Sequence, residues 1–186
     1  MYDQITPQLQ RLPRTVTRYY TGRNLADGSD LGETIKKGYP VCLDLYGDPD
    51  LAAASDIDVM SGGAKGLTGG NVTKPQTENV NDFEGIIVAL GDPSNPTLPQ
   101  TVTIVPRDGG FVNAYTLVDQ SAARSGSVPG AVGVPLACVA DQWHLVGAAT
   151  TSVDTHAEIN NYVGKALEDT DTSGAAALQK VLLRNR

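Results

Sequence analysis

The sequence predicts a mainly β protein: a compact β-barrel or β-sandwich body with an extended N-terminal arm. Three observations predict it. The 20 glycines and 11 prolines divide the 186 residues into short segments, a rhythm suited to strands joined by turns. Several segments alternate apolar and polar residues with the period of two that a half-buried strand requires. Only 19% of residues are charged, few for a bundle of helices with solvated faces. A chain of this length buries roughly two-thirds of its unfolded surface, so its core needs no covalent staples.

Residues 1–33 read as the arm and residues 34–186 as one β-rich domain. Pro7 and Pro13 interrupt helical continuity, and the polar stretch at 24–32 (NLADGSDLG) reads as a loop. Within the arm, residues 15–21 (TVTRYYT) are β-branched and aromatic and suit a short strand. The body opens with a turn at 36–39 and a strand at 41–46. A short helix at 50–55 and a flexible Gly-rich loop at 62–70 follow. Strands are expected at 85–90 (GIIVAL) and 101–105 (TVTIV). The dipeptide Asp108-Gly109 is a strong turn signal, making 111–118 the return strand of a β-hairpin. Further strands are expected at 132–139 and 143–148, with a turn at Asp141-Gln142. Two last segments, 161–168 and 175–183, fit strand or helix; strand is favoured because the pattern around them is β. No internal repeat stands out.

The formal charge of −7 is unevenly divided: residues 1–23 carry Arg11, Arg14, Arg18 and Arg23 against Asp3, a net +3, leaving −10 on the rest. A basic arm on an acidic body suits docking on an acidic partner, such as a second copy. The acidic body argues against nucleic acid as the main partner. No apolar segment follows the opening MYDQITPQLQRLPR, and no stretch nears the ~20 apolar residues that span a bilayer. The expectation is a soluble protein made in the cytoplasm.

The search for chemistry yields no constellation. Nucleophilic catalysis needs a base beside a Ser or Cys, and the two histidines are His144, beside Trp143, and His156, in a polar stretch. No GxSxG surrounds a serine. Two cysteines and two histidines lack the CxxC or HxxxH spacing of a zinc site. Asp169–Gly174 (DTDTSG) matches the start of an EF-hand loop, but Lys180 stands where the bidentate Glu belongs. Lys65 in the Gly-rich segment lacks both flanks of a Walker A loop. Asp56 and Asp58 could pair for acid–base work, although a solvated loop face accounts for them as well. No catalytic, cofactor or metal residue is assigned. Cys42 and Cys138 each sit in an apolar run and read as buried free thiols; a disulfide would need their Cα atoms within about 6 Å.

Four short motifs follow one another: Lys74-Pro75, Asp82-Phe83-Glu84-Gly85-Ile86-Ile87-Val88, Asp108-Gly109-Gly110 and Gly164-Lys165-Ala166-Leu167. Their order resembles that of the capsid decoration (cement, or auxiliary head) proteins of tailed bacteriophages. The resemblance spans residues 35–183 and leaves the arm outside. It implies a virion protein on the outer capsid surface that stabilises the shell. It also implies the major capsid protein as partner, a homo-oligomer (a trimer favoured) and no enzymatic activity. On that reading Arg11, Arg14, Arg18, Tyr19, Tyr20 and Arg23 form the partner-binding set, since Arg and Tyr are enriched at interface hot spots. Deleting residues 1–23 is then expected to weaken attachment while leaving the body folded. A head–tail connector, a tail- or fibre-associated β-domain and a carbohydrate-binding module are the competing readings; for the last, Trp143 is the aromatic candidate.

Overall fold

The computed structural model describes residues 14–44, 71–80, 82–107, 112–119, 133, 135–147, 162–168 and 176–183. All regular structure among them is β. Ten strands follow in order: β1 (Val16–Tyr20), β2 (Pro40–Leu43), β3 (Asn71–Thr73), β4 (Phe83–Leu90), β5 (Gln100–Pro106), β6 (Val112–Asp119), β7 (Pro135–Cys138), β8 (Leu145–Gly147), β9 (Tyr162–Ala166) and β10 (Ala177–Leu183). The expected strands at 15–21, 85–90, 101–105, 161–168 and 175–183 all form, within a few residues of their expected ends. The expected helix at 50–55, the loop at 62–70 and the whole of DTDTSG lie outside the described residues.

The strands close into two five-stranded barrels, β1-β3-β2-β4-β5 and β6-β8-β7-β9-β10. The expected hairpin at Asp108-Gly109 therefore does not form: β5 pairs with β1 and β4, and β6 pairs with β8 and β10. The turn residues 108–110 lie outside the described residues, and the flanking strands β5 and β6 belong to different barrels. Turn chemistry sets where a chain can reverse, but each barrel's own closure decides which strands pair.

The two barrels are copies of one topology. In each, the first strand runs parallel to the third and every other pairing is antiparallel. The equivalence extends to register. Val41 pairs with Gly85 and Leu136 with Gly164, and in both pairs the ladder then shifts at the next residue, to Phe83 and Tyr162. Gly38 and Gly133 both take positive φ, 89° and 87°, and donate from N to equivalent carbonyls, Ile87 O and Ala166 O, each at 2.8 Å. The repeat that did not stand out in the sequence is thus explicit in the pairing.

Alternation then explains the apolar runs. In β4 and β5, Ile87, Val102 and Ile104 point into the first barrel with Tyr20, Val41 and Val72. Their neighbours Ile86 and Val105, with Cys42 and Phe83, join Val118, Leu136, Leu145, Val163, Val181 and Leu183 of the second barrel. Both faces of β4 are therefore buried around Ile86-Ile87, and GIIVAL reads as a continuous apolar run instead of an alternating one. Each such aliphatic side chain contributes roughly 2 kcal/mol on burial. Polar contacts reinforce the seam. Gly38 O accepts from Leu117 N at 3.0 Å and from Thr116 Oγ1 at 2.8 Å, and Asp141 N donates to Pro75 O at 2.8 Å. Asp141 does so at a positive φ of 63°, in the turn between β7 and β8 that the sequence places at Asp141-Gln142.

Candidate functional site

The structure separates the residues expected to bind a partner. Arg11 lies outside the described residues, and Arg14 is exposed. Thr17 and Tyr19 form the exposed set of β1, with Tyr19 45% exposed. Tyr20 is fully buried in the first barrel, so it is a core residue and not a contact for a partner. Arg18 is half-buried, its Nε donating to Glu84 Oε1 at 2.9 Å. Arg23 lies 3.8 Å from the buried carboxylate of Asp44.

The described part of the expected arm, residues 14–33, is accordingly built into the barrel. Strand β1 pairs along its whole length with β5. The following loop is held by the buried amide of Gln76, which accepts from Leu25 N at 2.7 Å and donates to Arg23 O at 2.8 Å. Asn79 positions Gln76 in turn, accepting from its N at 2.7 Å and donating to Leu43 O at 2.8 Å. Composition correctly marks 15–21 as strand-forming; the charge contrast conceals that this strand closes a barrel.

The most elaborate polar cluster lies where the second barrel's β7–β8 turn meets the mouth of the first. Lys74, its side chain 9% exposed, donates to both oxygens of Glu33 at 2.8 and 2.9 Å. Trp143 Nε1 donates to Glu33 Oε2 at 2.5 Å. The indole stacks on Tyr39, centroids 4.7 Å apart, lies tilted 6.2 Å from Tyr20, and has Lys74 Nζ 5.5 Å from its centre. An ammonium so poorly hydrated needs its carboxylate partner, and a half-buried indole N–H needs an acceptor; Glu33 serves both. With Tyr39, Tyr20 and Lys74 around it, Trp143 serves as a strut between barrels. Sequence reasoning singles out Trp143 and, in a separate motif, Lys74, but misses Glu33 and Tyr39 and the meeting of all four, since nothing in their local patterns links such distant segments.

Burial, with the carboxylates of Glu33 and Asp30 nearby, pushes the Tyr20 phenol far above its ordinary 10.0. The folded protein holds this proton more tightly than the unfolded chain. The associated stability is complete below about pH 10 and is lost as pH rises beyond it. Tyr39 is shifted upward for the same two reasons, burial and Glu33. The Tyr20 hydroxyl is buried and has no hydrogen-bond partner among the described residues, so Tyr20→Phe should fold normally at neutral pH. The expected result is a shallower fall in melting temperature for Tyr20→Phe than for the parent between about pH 9 and 11. Parallel curves would show that Tyr20 does not control alkaline unfolding.

Among the described residues, no group of three or more His, Cys, Asp and Glu is placed to hold a metal ion, and no helix is long and apolar enough to cross a membrane. No protein-family model matches the chain, and no curated protein matches its sequence.

Proposed function

We propose that this protein is a structural component of a tailed-phage virion, a decoration protein that binds the outer capsid surface and stabilises the shell. The observation that carries the reading is the pair of closed barrels. Closure removes the unpaired strand edges through which β proteins add to one another. Many copies can then crowd side by side, with contacts confined to side chains. The order of motifs shared with decoration proteins supports the same reading. So does the exposure of Arg14, just before β1, and of Tyr19, near its end, residue types that interfaces favour. The partner on this reading is the major capsid protein. Oligomerisation, with a trimer favoured, multiplies weak contacts through effective concentration.

The test is the copy number in purified particles, by gel densitometry against the major shell protein. Near-equimolar copies that detach while the shell stays intact are expected. A handful per particle would point to a connector or tail component, and absence would end the virion reading. Within this reading, Tyr19→Ala should leave the melting temperature within a degree or two, since surface substitutions move stability by less than about 0.5 kcal/mol. It should weaken attachment at least about tenfold, the loss of a modest hot spot, measured by rebinding to stripped particles. Undiminished rebinding would remove Tyr19 from the contact.

A further inference from the structure

The sequence holds two cysteines, one in each repeat. Cys42 is in β2 of the first barrel and Cys138 in β7 of the second. Duplication does not account for the pair. By register Cys42 corresponds to Ala137, because they pair with the equivalent residues Thr73 and Val146. Cys138 likewise corresponds to Leu43, through Leu145 and Val72. Each cysteine thus stands where the other repeat has a hydrophobe. Yet both are fully buried in the cluster that joins the barrels, and after burial itself it is the Cys138 side chain that does most to raise the Cys42 thiol. Both are free thiols. Packing alone would be served equally well by Ala or Val at either place.

We infer that Cys42 and Cys138 are a latent redox staple: oxidation joins them in a disulfide that locks the two barrels together. The oxidant is hydrogen peroxide, small enough to enter when the seam opens. One thiolate attacks the peroxide; an S–O bond forms, the O–O bond breaks, and the departing hydroxide takes a proton to leave as water. The second thiol attacks the resulting sulfenic acid; the S–S bond forms, the S–O bond breaks, and a second water leaves. Two thiols are oxidised and the peroxide is reduced to two waters. The charges that act on Cys42 are Asp82, whose carboxylate opposes the thiolate, and Arg107, whose smaller effect favours it. Burial opposes ionisation and holds the Cys42 thiol above its ordinary range, so the reaction waits on opening of the seam and is slow. Once formed, the bond constrains the unfolded chain across a long loop and favours the native state.

The experiment is incubation of the native full-length chain with hydrogen peroxide, followed by thiol titration, peptide mapping without reductant, and thermal melting. The expected product is a monomer with no free thiol and a Cys42–Cys138-linked peptide. It should melt several degrees above the reduced protein, an advantage that dithiothreitol abolishes. Cys42→Ala and Cys138→Ala should give neither the link nor the rise. Thiols that stay reduced until denaturant is added would overturn the inference. Sulfinic acids or intermolecular dimers in place of the link would also do so, as would a link that lowers the melting temperature. Mapping of the parent protein decides the matter even if an alanine variant folds poorly.

Discussion

A chain beginning at residue 24 should fail to form its first barrel. Removing residues 1–23 takes away β1, which pairs with β5 at five consecutive positions and with β3 at two. It also removes Tyr20 from the core and Arg18 from Glu84. An aromatic core residue alone contributes about 3–5 kcal/mol, and two newly opened edges invite aggregation. Total stability for a domain is about 5–15 kcal/mol, so little or none remains for this half. The expected outcome is insoluble protein, or loss of the main cooperative melt by circular dichroism. Removal of residues 1–13 leaves β1 in place and should retain that melt. A soluble 24–186 chain melting within a few degrees of the full one would contradict the placement of β1. The truncation that charge distribution suggests for testing attachment is therefore the wrong one: weakened binding by such a chain would report unfolding.

Alanine at Gly85 and at Gly164 should each destabilise the protein by about 2–4 kcal/mol, the upper range for overpacking against an unyielding neighbour. A Cβ on Gly85 would collide with the carbonyl oxygen of Val105, and one on Gly164 with that of Leu182. These are equivalent places in the two barrels, beside the shift between the second and fourth strands. The obstructing atoms are backbone, fixed by their own ladders, so the strands must part to admit the methyl group. Gly32 offers the comparison: it has open space but a φ of 59°. Gly32→Ala should therefore carry only the left-handed penalty of about 1 kcal/mol. Urea denaturation of the three variants would separate the mechanisms. Equal losses at all three positions would mean that close strand approach is not what requires glycine at 85 and 164.

The strands were largely legible because their signal is local. Alternation in TVTIV and β-branching in TVTRYYT are properties of a few adjacent residues. Partnership is not local, and there the sequence misleads. Asp108-Gly109 suggests a hairpin, while the closure of each barrel sends β5 and β6 to different sheets. The duplication is similarly veiled. Little survives beyond Gly38-x-Pro40 with Gly133-x-Pro135, and Phe83-x-Gly85 with Tyr162-x-Gly164. The connection from β2 to β3 is much longer than that from β7 to β8, which puts the two motifs out of phase along the chain. Two of the four motifs that suggest a capsid protein, those containing Gly85 and Gly164, are also the duplicated fold device itself. The Glu33–Lys74–Trp143 cluster was illegible for the same reason as the pairing: its members meet only after both barrels have formed.

The way the halves meet has a consequence for assembly. The contact joins unlike surfaces: Cys42, Ile86 and Val105 of the first barrel meet the second barrel through residues that are not their counterparts. Such a join is directional, and the second barrel carries the equivalent patch at Ala137, Lys165 and Leu182. Left apolar, that recurrence would let chains add one after another without closing, the geometry of a fibre. At the position equivalent to Ile86 the second barrel instead carries Lys165, which is exposed. An ammonium there costs desolvation to any barrel that would seat on that face.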